Sequence, residues 1–168
     1  MNEPTATNES DTLRAALGRL VDSCQPKTLV VCGAVAEDIG RHWCSHRREA
    51  TLTTLSPETP NDAFPLAQTQ DLALITDTLE HLSHDQGERL LGQLRNYGTH
   101  QIAVITPNEA HWAFTDFIGL GFQRQATLGE GAGAFTLYTY NIDSYNHKRT
   151  WNNPDNWANP EMWGKAWW

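Results

Sequence analysis

The sequence has no apolar run long enough to cross a bilayer, and its opening residues, MNEPTATNES, hold neither the basic nor the apolar region of a secretion signal. Positive charge is scarce. Twelve Lys and Arg stand against twenty Asp and Glu, a formal charge of −8, and the densest basic groups are the pairs Arg47-Arg48 and Lys148-Arg149. Nucleic-acid binding leans on a basic footprint, so no nucleic-acid partner is expected. Cysteine is limited to Cys24, Cys32 and Cys44, which lie inside apolar or helical patterns without paired spacing. The expectation is reduced core thiols in a cytoplasmic protein, with no disulfide framework and no membrane attachment. A metal-ligand set is lacking too. His42 and His46 stand at i, i+4, yet no third ligand follows at suitable spacing and Arg41, Arg47 and Arg48 crowd them, so no metal is expected. The segment GEGAG, residues 129–133, precedes no helix and no Lys-Ser/Thr, which leaves a hairpin connection instead of a phosphate loop.

What is present is enough patterned chain for one domain with a real core. Residues 1–9 read as a disordered arm. From Ser10-Asp11, Leu13, Leu17, Leu20, Val21 and Cys24 recur at helical spacing and stop before Pro26. Thr28–Cys32 is a short strand of the buried type, and Ala36–Arg48 a helix with Ile39 and Trp43 on one face. Strands follow at Thr51–Leu55 and, beyond a loop with Pro57, Pro60 and Pro65, at Leu72–Thr76. Ser83 and Gln86 form a capping box that opens a helix carrying Leu90, Leu91 and Leu94. After a strand at Gln101–Thr106, Thr106-Pro107-Asn108-Glu109 resembles a second box, predicting a helix to Leu120. Strands at Gln123–Leu128 and Phe135–Ile142 close the pattern. Short apolar strands alternating with helices predict an α/β fold: an open, mostly parallel Rossmann-like sheet with helices on both faces and a C-terminal antiparallel hairpin, over residues 10–142.

Ligands of such sheets bind beyond the carboxyl ends of the strands. Three segments should meet there: Gly33–Glu37, Ser56–Glu58 and Asp77–His81. Asp77, Glu80 and His81 form a polar cluster suited to orienting a substrate or moving a proton, although acids are also favoured at a helix entry by the macrodipole.

A strand, a glycine turn and a helix come first, then DLALITDTLEHL at Asp71–Leu82, then a strand ending Thr106-Pro107-Asn108, then Leu120-Gly121-Phe122 before a hairpin. This order resembles a class I S-adenosylmethionine-dependent methyltransferase over about residues 11–142. The resemblance implies S-adenosylmethionine lying over Gly33, Glu58 near its ribose, and Asp77 and His81 facing a small acceptor, with Asp77 also on the cofactor side. The departures fall on those same positions. Cys32 stands where the family ends its first strand with an acid, and Val35 and Glu37 replace the later glycines, adding bulk and charge. Sixteen residues between Leu55 and Leu72 are too few for the family's second helix, third strand and third helix. The expectation is a divergent, weakly active or non-catalytic protein with an incomplete cofactor site. The alternatives are a functional small-molecule methyltransferase and a protein-interaction scaffold. A small ligand in the strand-tip cleft or a protein partner is implied in each case.

Residues 143–168 differ in kind. They hold five of the seven tryptophans, with Trp151, Trp157 and Trp163 six apart and two Trp-x-Asn-Pro-acid units. Such a tail reads either as a partner-binding arm or as an intramolecular strap, because Trp supplies much apolar area and anchors interfaces. The strap is the favoured expectation, seated on the sheet margin that the shortened half would leave bare.

Overall fold

The computed structural model describes residues 4–97, 99–108, 111–129 and 133–142, with side chains from residue 11 onward. The Trp-rich strap lies outside the described residues. Ten main elements follow in order: α1 (Pro4–Cys24), β1 (Thr28–Cys32), α2 (Ala34–Ser45), β2 (Thr51–Leu55), β3 (Leu72–Ile75), α3 (His84–Asn96), β4 (Gln101–Pro107), α4 (Phe114–Gly119), β5 (Gln123–Leu128) and β6 (Phe135–Asn141). Short 3₁₀ turns occupy Pro60–Ala63 and Leu79–His81. The six strands form one sheet in the order β2-β1-β3-β4-β6-β5. The first four strands are mutually parallel, whereas β6 runs antiparallel to both β4 and β5. No helix among the described residues is long and apolar enough to cross a membrane.

Period-two alternation sorts the strand side chains into two cores. Leu29, Val31, Leu72, Leu74, Ala103, Ile105 and Leu137 face Leu13, Leu17 and Val21 of α1 and Ala36 and Trp43 of α2. Val30, Cys32, Ala73, Ile75, Ile102, Val104, Tyr138 and Tyr140 face Leu90, Leu91 and Leu94 of α3 and Phe117 of α4. Burial on both sides is why β1, β3 and β4 read as unbroken apolar runs. Each fully buried Leu here contributes on the order of 1.5–3 kcal/mol. Trp43 closes the lower end of α2: its indole N–H donates to the Pro26 carbonyl at 3.0 Å, with the Arg47 guanidinium over its ring.

Three expectations change. Helix α1 opens at Pro4, ahead of the Ser10 start marked by apolar spacing, so residues 4–9 of the expected disordered arm belong to it. Proline's fixed φ suits a first helical position. The helix expected from Pro107 to Leu120 is instead a strand end and a short helix. Pro107 pairs with Phe135, the Asn108 N–H donates to the Ala134 carbonyl at 2.9 Å, and the Thr136 hydroxyl donates to the Asn108 side chain. These bonds to β6 outcompete a helix start, and α4 begins only at Phe114. The margin beside β2 also differs from the bare apolar edge anticipated. Thr51 and Thr54 are its exposed residues, and the loop after β2 buries Pro60 and packs Phe64 and Leu66 against the α3-side core.

Candidate functional site

From β1 the chain passes to β2 on one side and next to β3 on the other, so the strand order reverses between β1 and β3. That reversal is where open α/β sheets hold ligands. Gly33 stands at the tip of β1 with φ +103°, a backbone that side-chained residues rarely adopt. A β-carbon there would lie 1.7 Å from the Thr76 carbonyl oxygen, so the glycine lets the β1 turn press onto the tip of β3.

Hydrogen bonds stitch the two tips together. The Thr76 N–H donates to the Cys32 carbonyl at 2.9 Å, and the Ala36 N–H, in the first turn of α2, donates to the Thr76 hydroxyl at 3.0 Å. The Thr78 hydroxyl is 2.7 Å from the Thr76 carbonyl and 3.3 Å from the Cys32 sulfur. Cys32 is fully buried. Burial pushes its thiol pKa up, the Thr78 hydroxyl pulls it back, and the nearby Glu58 charge pushes it up again. A neutral, inert thiol results.

The acids sit around this closed centre in different states. Glu58 is exposed, and its carboxylate accepts from the Ser56 hydroxyl at 2.8 Å. That bond, then the residue's own N–H, holds it below the usual carboxylate range. Asp77 is exposed and adopts φ +49°, a left-handed conformation that Asp tolerates better than most residues. His81 is also exposed, with its Nε2 4.0 Å from a Glu80 oxygen. Glu80 is the inward member of the trio. Its side chain is 19% exposed and its Oε2 is buried without a hydrogen-bond partner. Burial is the main cause that raises its pKa; its own N–H lowers it, the Asp77 charge raises it, and His81 lowers it.

Gly33 and Glu58 thus lie around Cys32, and Asp77 follows the β3 tip within electrostatic reach of Glu80, while His81 points to solvent. The side chains that replace the later glycines go elsewhere. Val35 packs against the α1-side core, and Glu37 pairs with Arg41 along α2. Thr76 and Thr78, which bond across the two tips, carried no sequence signal beyond flanking Asp77. Chemically, the site offers solvent-facing carboxylates and one protonatable half-buried carboxyl, with the backbone between β1 and β3 already committed.

A model described as a family of unknown function (DUF6231) matches residues 11–168. The chain belongs to that family. No curated protein matches it in sequence. Solved structures similar to it include the methyltransferase domain of bacterial CtHen1-CN, at 11% identity and TM-score 0.53, covering 78% of this chain and 98% of that one. The pyocyanin biosynthetic protein PhzM is similar at 14% identity and TM-score 0.53, covering 79% of this chain but 55% of its own. Magnesium protoporphyrin IX methyltransferase (ChlM) from Synechocystis PCC 6803, a structure with bound SAH, is similar at 11% identity and TM-score 0.53, over 80% and 82%. At these identities the likeness is one of fold, and this DUF6231 member has a methyltransferase-like fold.

Proposed function

We propose that this protein uses a methyltransferase fold without a complete S-adenosylmethionine site, is non-catalytic or at most weakly active, and works by binding. The observation that carries this reading is the make-up of the β1 tip, where a buried Cys32 thiol lies under Thr78. Where the family resemblance calls for a carboxylate, Cys32 offers a buried thiol under Thr78, and the Ala36 N–H is already spent on Thr76. The residues present do not fit the cofactor: the site lacks an acid at the end of β1 and has one fewer helix-start N–H to give. Its ligand is then a small molecule over Glu58, Asp77 and Glu80, or a protein partner.

A second reading, an active methyltransferase for a small molecule, draws on Glu58. Its carboxylate is held by Ser56 close enough to influence Cys32, on the side where the resemblance places a ribose. Calorimetric titration with S-adenosylmethionine and its demethylated product separates the two. The expected result is no affinity better than about millimolar, roughly −4 kcal/mol. A micromolar dissociation constant, about −8 kcal/mol, overturns the proposal and makes Asp77 and His81 the groups to test, as Asp77→Asn and His81→Ala.

A further inference from the structure

One well-formed cavity lies away from the strand tips. It is a groove of about 640 Å³ at the opposite end of the sheet, lined by Arg19, Leu20 and Ser23 of α1, Gln125 of β5, and Leu137 and Thr139 of β6, among others. It lies between the C-terminal half of α1, which packs close to β5, and the lower ends of β4, β6 and β5. Leu137 forms an apolar floor, whereas Gln123, Arg124 and Gln125 on edge strand β5 stand exposed. Arg19 is exposed and makes no ion pair among the described residues.

We propose that this groove is the seat of the chain's own Trp-rich segment, residues 143–168. The segment begins there: Asn141, at the end of β6, lines the groove, and Ile142 is the last described residue before it. Twenty-six residues extended reach roughly 85 Å at about 3.3 Å each, so length does not limit the return. Composition matches the lining as well. Indole rings suit an apolar floor beside an unspent guanidinium, which can stack on a Trp face, and the Asn-Pro units suit a wall of Gln, Ser and Thr side chains. The family match runs to residue 168 and so takes in this segment together with the domain. The β2 margin, the alternative seat, is threonine-rich and already flanked by the loop carrying Phe64 and Leu66. The seat lies away from Gly33 and the strand tips, so it stands or falls independently of the proposed function.

Hydroxyl-radical footprinting of the full chain, read by mass spectrometry, tests this. Trp151, Trp157 and Trp163 should be several-fold less reactive than in the urea-unfolded chain, and Leu20 should be protected with them. In the variant Ser23→Arg/Gln125→Arg, which fills the groove from two exposed positions, that protection should be lost with the far-UV circular dichroism unchanged. The milder Arg19→Glu should weaken it. Tryptophans as reactive in the folded chain as in urea overturn the proposal. So does protection that rises with protein concentration, which makes a second copy the occupant, and so does protection that survives both variants, which puts the segment elsewhere.

Discussion

Gly33 carries the strictest steric demand at the candidate site. Its φ of +103° and the 1.7 Å separation that an added β-carbon would have from the Thr76 carbonyl oxygen act together, and the obstructing atom is backbone, which cannot swing aside. Gly33→Ala should therefore cost more than the roughly 1–3 kcal/mol of backbone strain alone. Urea denaturation measures it, and a loss below about 1 kcal/mol would show that the β1 turn relaxes freely. Glu80 gives a second residue-scale outcome, through pH. Its folded pKa is raised, so the folded state holds its proton more tightly than the unfolded chain does. Stability from this group is fully present below the unfolded pKa, near 4.3, and is lost as pH rises through the folded value. Glu80→Gln should accordingly melt higher than the parent at pH 7, with the difference vanishing as pH falls to about 4. An equal or lower melting temperature at pH 7 would mean that Glu80 is ionised and satisfied.

At the scale of elements, α4 depends on a cap that its own first residue cannot supply. Ala113 precedes the helix and has no side-chain acceptor, so only the reciprocal half of a capping box forms: the Ala113 N–H donates to Asp116 at 2.8 Å. The same carboxylate lies 3.1 Å from His84 Nε2 at the start of α3, tying the two helices. The backbone bond first, then His84, keeps the Asp116 pKa low, so its contribution persists above the usual carboxylate range and fades as pH falls through the lowered value. Asp116→Ala should lose about 1 kcal/mol at pH 7 by chemical denaturation, the scale of one cap. Elements are legible in the sequence wherever the signal is local. Strands β1, β2 and β5 have the bounds their apolar or alternating runs imply, and the Ser83–Gln86 box opens α3 as expected, at 3.2 and 3.4 Å. Where a distant partner decides the outcome, the local pattern misleads. Thr106-Pro107-Asn108 has the composition of a helix start, yet pairing with Phe135 and Thr136, almost thirty residues on, keeps it in the sheet. The site divides the same way. Gly33 was visible as a turn, but the reason only glycine fits is the Thr76 carbonyl, and the inward turn of Glu80, with His81 outward, depends on packing that no local pattern carries.

Across the whole molecule, the strand order places β1, β3 and β4 side by side and β2 at the edge of a mostly parallel sheet. The two edges of the sheet differ. Near β2, sixteen residues lead to β3, and Phe64 and Leu66 of that loop pack against the α3-side core. At the far edge, the groove beneath β6 and β5 stays open to the Trp-rich segment. Between them, Thr76 and Thr78 hydrogen-bond across the tips of β1 and β3, where Cys32 is a buried thiol. Retention of the fold with loss of the cofactor contacts is the central claim. Its most direct test is an amide NMR titration of the full chain with S-adenosylmethionine, followed at Gly33, Ala34, Val35 and Ala36. The expected result is that these four amides stay in place up to about millimolar ligand, while saturable shifts at them with a micromolar midpoint would contradict it.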